Sequence, residues 1–524
     1  MAQPDRQLVP MEPYGVVVDL SADAVGKEFW TRSSSVVFRD HTERSKGKVE
    51  VWGATLFQPQ WLLQTEIIDG IEPLWIYTSD TGQIGVVRST PLHSDISPAI
   101  LDPVTQNNPW TGGELNGIPV VSHPALTTPL FWDRDPAGQF EPLPGWVDGE
   151  KCLAMRPYKF HLIAMGIDRG AGAGFTEEVV WSSAADPGTV PQEWLPSASN
   201  EAGSTTLGWT QGTIIDGAVL RDSFYIYKET SCYRLTYVGG AEVMLTELVL
   251  PDTGMLTRNC IAELNNRHIV LTDDDVIIHD GHIVESVADE RTRNKIFNTI
   301  DPINFRNSFV VADDPEKEIW ICYPEVGAVH PTIAAVYQVR RNVWGFRELT
   351  AMPSHIGTGK AEVADPNISW DGNTQTWDTD ELSWDSSGVT VGAYDLIEAG
   401  FDQSRLYLTD TGDTDDGAAV LASVAKERWD VGEPGRVKFL KAVWISARGL
   451  AGSVIRVRVA GTFNPQEDPS YGPYQDFVID SDEAAKVDVA ALGKYLSIEF
   501  SSITTAPVWQ LPSFQLEIEM GGLF

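Results

Sequence analysis

The sequence predicts an all-β protein, a β-propeller joined to one or more β-sandwich-like domains, and three observations predict it. Ile214, Ile261 and Phe309 open successive strand-rich units at separations of 261 − 214 = 47 and 309 − 261 = 48 residues. A period in the forties with several short strands per repeat is the spacing of propeller blades. Within these units, Asn265-Asn266, Asp273-Asp274 and Asp280-Gly281 are dipeptides suited to tight hairpins. Near the C-terminus the pattern changes. Arg436 to Ala447, Ser453 to Ala460, Tyr495 to Phe500 and Phe514 to Met520 alternate apolar with polar residues, as a sheet with one solvated face requires.

Taken in order, residues 1–150 form an N-terminal β region that completes either the propeller or the platform. Phe29-Trp30, Val36 to Phe38 and Val49 to Trp52 are short β runs between polar turns. Glu72 to Tyr77 and Gln83 to Arg88 follow, with Asp80-Thr81-Gly82 as a hairpin turn. The Pro-, Trp- and Gly-rich stretch 91–150 reads as long ordered loops. Residues 151–420 are expected to hold the propeller blades, beginning with the pair Lys159 to Gly166 and Glu178 to Ser182. In the first repeat, Asp216-Gly217 is read as a turn after a short Ile214-Ile215 strand. Residues 368–387 are an arm in which Trp370, Trp377 and Trp384 recur every seven residues, each followed by Asp. An odd spacing puts successive tryptophans on opposite faces of a strand, so the arm is expected to be a run of turns packed between domains or subunits. Residues 421–524 form the C-terminal sandwich, with the boundary near 420–430.

Composition narrows the function. The chain has 524 residues and carries 38 basic against 74 acidic side chains, a formal net charge of −36. Such a surface repels polyanions, which argues against a grip on nucleic acid but not against a wall past which DNA slides. No run is long and apolar enough for a membrane span, and the N-terminus lacks the layout of a signal peptide. Cys152, Cys232, Cys260 and Cys322 lie apart in strand-like runs and read as buried free thiols.

Several short motifs fail on inspection. Asp410, Asp413, Asp415 and Asp416 precede Gly417, but Gly412 and Thr414 stand where a calcium loop needs oxygen ligands, so a surface turn is expected. His279 and His282 flank a turn without a third ligand, so a solvated turn is preferred to a metal site. Gly357-Thr358-Gly359-Lys360 lacks both the first glycine and the hydroxyl residue of a phosphate loop. The Ser369 to Trp377 stretch is like a sialidase Asp box with its glycine one place early. No nucleophile elbow appears, and no acid pair is singled out for glycoside hydrolysis. The expectation is a protein that is not an enzyme, with no catalytic, cofactor-binding or metal-ligating residues and no cofactor.

The segments ISWDGNTQTWDTDELSWD, DGAVLRDSFYIYKETSCYRLTYVGG and AAVYQVRRNVWGFREL resemble parts of the tail nozzle, or tail hub, proteins of short-tailed bacteriophages. FWTRSSSVVFRDHTERSKGKVEVWG near the start and the run from KAVWISARG to LPSFQLEIEMGG at the end are similar to the same group, so the resemblance extends from about residue 28 to the C-terminus. It implies a propeller joined to sandwich platforms, and a virion protein made in the host bacterial cytoplasm. It further implies a homohexameric ring that contacts tail adaptor proteins and tail fibres or spikes, with genomic double-stranded DNA passing through unbound. A polysaccharide-binding or polysaccharide-cleaving propeller, a receptor lectin or a glycosidase, is the alternative. Its mark would be exposed tryptophans beside paired carboxylates in one cleft.

Overall fold

The computed structural model describes residues 6–18, 20–65, 74–87, 93–100, 104, 108–135, 137–170, 174–240, 242–288, 292–361, 394–479, 485–502 and 508–523. Among the described residues, seven sheets contribute one strand each to the wall of a shared central space, as the blades of a propeller do. From the axis outward, the first blade is Trp61–Thr65, Leu74–Thr78, Ile84–Val87 and His93–Asp95. The second is Thr111–Leu115, Ile118–Ser122, Leu130–Phe131 and Glu141–Pro142. The third is Lys151–Tyr158, His161–Asp168, Glu178–Trp181 and Gly203–Thr206, and the fourth Ile214–Leu220, Ser223–Lys228, Cys232–Tyr237 and Met244–Leu250. The fifth is Ile261–Leu264, Arg267–Leu271, Val276–His279 and Val284–Ser286, and the sixth Phe309–Asp313, Glu318–Tyr323, Ile333–Gln338 and Val343–Glu348.

The seventh blade closes the ring. Pro353–Gly359, Asp395–Gly400 and Arg405–Thr409 come from late in the chain, and Lys48–Ala54 from early in the chain pairs antiparallel outside them, with Leu406 opposite Val51. A circular array of sheets needs such a joint, because otherwise its first and last blades are held only by side-chain packing.

Ile214, Ile261 and Phe309 each open an inner strand, as the period implies. The hairpin between Ile261–Leu264 and Arg267–Leu271 turns through Asn265 and Asn266 at φ of 55° and 57°, which asparagine tolerates better than most residues. Gly281 turns at φ 95°, and a Cβ there would run into the Tyr225 hydroxyl.

Two readings need correction. Asp216 and Gly217 are not a turn: they lie inside Ile214–Leu220, where a register shift between Ile214 and Asp216 marks a bulge. Residues 111–142, read as loops, form the second blade, whose outer strands are two residues long. Its tryptophans fill blade cores: Trp110 and Trp132 are buried, and Trp110 Nε1 donates to Ser79 O of the first blade at 3.1 Å.

Both ends of the described chain build the platform. One sheet joins Arg6–Met11, Gln510–Leu523, Arg436–Arg448 and Ala485–Gly493. The other runs Arg32–Ser34, Ala422–Trp429, Tyr495–Ser502, Val454–Thr462 and Gln475–Val478. Ile455 and Val457 are buried while Arg456 and Arg458 are partly exposed, the alternation of a one-sided sheet. Between the sheets, Trp30 stacks on Phe514 at 5.8 Å and meets Phe500 edge-on at 6.0 Å. Val36–Phe38 and Thr42–Arg44 carry the sixth blade's sheet onward to Gln510–Leu523, through the pairs Phe346–Val36 and Thr42–Leu511. One apolar core, including Trp344, Ile321 and Trp30, runs from the propeller into the platform. Among the described residues no helix is long and apolar enough to cross a membrane.

Candidate functional site

Each blade steps outward from its first strand, so the inner strands run the same way along the axis. The residues that border the lumen include Gly112, Gly113, Gly217, Ala218, Ala262, Ala312 and Gly357, which carry nothing larger than a methyl group. An empty space of about 1840 Å³, its open ends included, therefore follows the axis. The Gly357 to Gly359 segment lies on the seventh blade's inner strand.

Arg156 laces four blades around this space. Its guanidinium donates to both Asp216 oxygens at 3.0 and 2.6 Å, to Asn259 Oδ1 at 2.7 Å and to Gly112 O at 3.1 Å. Asp216 also accepts from the Gly217 and Asn259 N–H groups at 2.8 and 3.1 Å. Burial alone would raise this carboxyl, but Arg156 and the two N–H donors outweigh it and hold the pKa below the usual carboxylate range. Both Asp216 oxygens are engaged by these donors, so the pair ties the third and fourth blades together. One trace of it stood in the sequence, an acid inside the apolar run IIDGAVL. Its partner lies too far away in the chain to be read there.

At the end of the axis where the inner strands begin, Gln60, Trp61, Arg306, Ser308, His330 and His355 border a smaller pocket of about 350 Å³, open mouth included. His355 packs between Trp61 and Phe309 with ring centroids at 5.9 and 5.4 Å, and burial pulls its pKa down to about 3. His330 lies 4.1 Å from the Phe401 ring, and burial pulls it down to about 4, against the pull of Asp402 and Asp80. At the opposite end the lining carries Glu114 and Glu263, and burial raises Glu263.

A second pocket, about 370 Å³ with its mouth, sits on the flank of the third blade. Trp146 and Trp194 meet there edge to face at 4.7 Å. Arg169 binds both Glu150 and Glu178, the latter at 2.7 Å. Leu195 and Pro196 are exposed beside them.

His279 is not on a solvated turn. It ends the fifth blade's third strand, buried, while His282 is exposed beyond it. Tyr227 Oη lies 2.5 Å from His279 Nε2 and 2.8 Å from His268 Nδ1. Because His279 Nδ1 accepts from Gly281 N–H at 3.1 Å, its Nε2 carries the proton and donates to Tyr227. The tyrosine hydroxyl then donates to His268 Nδ1, and His268 Nε2–H donates to Val219 O at 2.8 Å. Burial holds both imidazoles neutral, at about 3 for His268 and about 4 for His279. Asp410 also departs from expectation: instead of a surface turn it occupies a buried junction, 2.6 Å from Arg39 and 2.9 Å from Arg347.

Trp370, Trp377 and Trp384 lie outside the described residues. All four cysteines are buried and free. Among the described residues no group of three or more His, Cys, Asp or Glu side chains is arranged to hold a metal ion.

No model of a known protein family matches this chain, and no curated protein matches it. Solved structures do. The crystal structure of the WD40 β-propeller domain of Doa1 aligns over 69% of this chain and 96% of its own length, at 8% identity and a TM-score of 0.39. The computationally designed protein Ika8 aligns over 70% of this chain and 99% of its own, at 11% identity and a TM-score of 0.37. The extracellular domain of a hybrid two-component system from B. thetaiotaomicron aligns over 70% of this chain and 42% of its own, at 11% identity and a TM-score of 0.33. At such scores these likenesses carry no functional weight, and the propeller assignment rests on the strand order itself.

Proposed function

We propose that this chain is a structural virion protein that forms the distal nozzle of a short bacteriophage tail and closes the DNA channel until the genome is ejected. One observation carries the reading. The resemblance implies a propeller joined to a sandwich platform, and that is the architecture of this chain, with one sheet continuing from the sixth blade into the platform. A part that must stay shut against packaged DNA benefits from domains that cannot hinge freely. The net charge of −36 supports the same role, since a protein so acidic overall repels the phosphates of passing DNA. In this reading six copies form a ring that meets tail adaptor proteins on one side and fibres or spikes elsewhere. The chain is made in the host bacterial cytoplasm, resides in the virion tail and performs no reaction. A duplex-DNA titration of the purified protein at physiological salt tests the conduit role. Very weak binding is expected, and tight, salt-sensitive binding would overturn it.

The flank of the third blade favours a second reading, contact with a polysaccharide. Half-buried Trp146, set against the buried Trp194 and beside two carboxylates held by one arginine, offers part of a ring face together with hydrogen-bond acceptors. A glycan array probed with the intact protein tests this reading, and the absence of any hit would remove it.

A further inference from the structure

The pocket where the inner strands begin carries a property that the nozzle reading does not require. Gln60 from the approach to the first blade, Ser308 from the approach to the sixth, and His330 from a loop of the sixth all border it. Their exposures are 9%, 2% and 5%, and Gln60 Nε2, Ser308 Oγ and both His330 ring nitrogens have no hydrogen-bond partner. A buried polar group left unpaired costs about 1–3 kcal/mol, so three side chains converging on one space point to a polar occupant.

The charge around the pocket indicates its sign. Arg306 stands exposed at the rim, and the buried Arg258 is close enough to both Arg306 and Arg156 for each to oppose its charge. Asp216 is the one acid that acts on Arg258 from the same quarter, and Arg156 already binds it through both oxygens. Arg306 is the one charged side chain among the residues that border the pocket, and no carboxylate is among them. Asp80 and Asp402 also act on His330 and limit the affinity. The space is far too small for a nucleic acid strand.

We propose that this pocket binds a small oxyanion, a phosphate group or a carboxylate, with Arg306 supplying the charge and Gln60, Ser308 and His330 the hydrogen bonds. Phosphate and carboxylate share the oxygen acceptors that these donors fit. The site is independent of the nozzle assignment, since it rests on donors within one chain.

The test uses the full-length protein and inorganic phosphate, with acetate as the carboxylate arm, at constant ionic strength. Isothermal titration should give saturable one-to-one binding of at least one of them, with a matching rise in melting temperature. Whichever anion saturates identifies the chemistry. Arg306→Gln, at an exposed position, should fold normally and weaken binding at least tenfold. Ser308→Ala should leave the ligand-free melting temperature unchanged or raised, yet lose most of the stabilisation by the anion, a split that a purely structural serine would not produce. No saturable response to either anion, or an equal response in Arg306→Gln, would overturn the proposal.

Discussion

Two joints of the molecule solve the same problem with opposite chemistry. Between the fourth and fifth blades, Tyr227, His268 and His279 meet as neutral groups, each ring nitrogen and the hydroxyl satisfied by one another, by Val219 O or by Gly281 N–H. Where the platform leader meets the sixth and seventh blades, the joint is ionic. Arg39 donates to both oxygens of Glu318 at 3.0 and 3.2 Å and to Asp410 at 2.6 Å, and Arg347 reaches Asp410 at 2.9 Å. A buried neutral network needs only matched donors and acceptors, whereas buried charges must also offset their desolvation. The joints should therefore differ in their response to pH and to truncation.

The largest effect is expected at the ionic joint. Arg39→Ala removes the guanidinium that Glu318 pairs with and leaves Asp410 with Arg347, so unfolding in denaturant should show a loss of about 3–5 kcal/mol. A loss under 1 kcal/mol would mean that water reaches the carboxylates.

Acid separates the two joints next. His268 and His279 titrate near 3 and 4 in the folded protein, below the ordinary value near 6.5, so the unfolded chain takes up protons first. Their contribution is fully present above pH ~6.5 and declines as pH falls toward about 4, by about 1.4 kcal/mol per pH unit for each histidine. At the ionic joint, burial together with Asp410 and Glu318 lifts Asp313 to about 7. The folded state then holds a proton that the unfolded chain has released, so this contribution is lost as pH rises from about 4 through 7. Asp313→Asn should therefore flatten the neutral side of the stability profile and leave the acid side unchanged. A profile identical to the parent's on both sides would refute the assignment.

Tyr227→Phe should follow, at about 2 kcal/mol, because it leaves His268 Nδ1 and the His279 Nε2–H buried without partners. A neutral outcome would show that the two imidazoles bond each other directly in the variant. The smallest effect is expected at the fifth blade's first hairpin. Asn266→Ala, at φ 57°, should cost about 1 kcal/mol in the same denaturation assay, and no measurable cost would mean that the turn relaxes.

What the sequence disclosed follows the range of each interaction. The fourth to sixth blades were legible because their strands are β-branched runs separated by turn dipeptides, signals contained within a few residues. The second blade was not, because its outer strands span two residues each and its order comes from Trp110, Trp132 and Phe140 packing into blade cores. Nor could the platform's early strands be assigned, since Arg32 pairs with Ala425 and Leu8 with Glu517, 425 − 32 = 393 and 517 − 8 = 509 residues away. Asp216, His279 and Asp410 were misread for a common reason. Each polar residue looked like a turn or surface residue until a partner remote in sequence made its burial tolerable.

The nozzle role proposed for this chain places it at the closed end of a phage tail. The most direct test is a reconstruction of intact virions that carry it, before and after genome ejection. Six copies in a closed ring at the distal end of the tail tube are expected, with the bore shut before ejection and open after it. Density for this chain elsewhere on the particle, or a copy number not divisible by six, would contradict it.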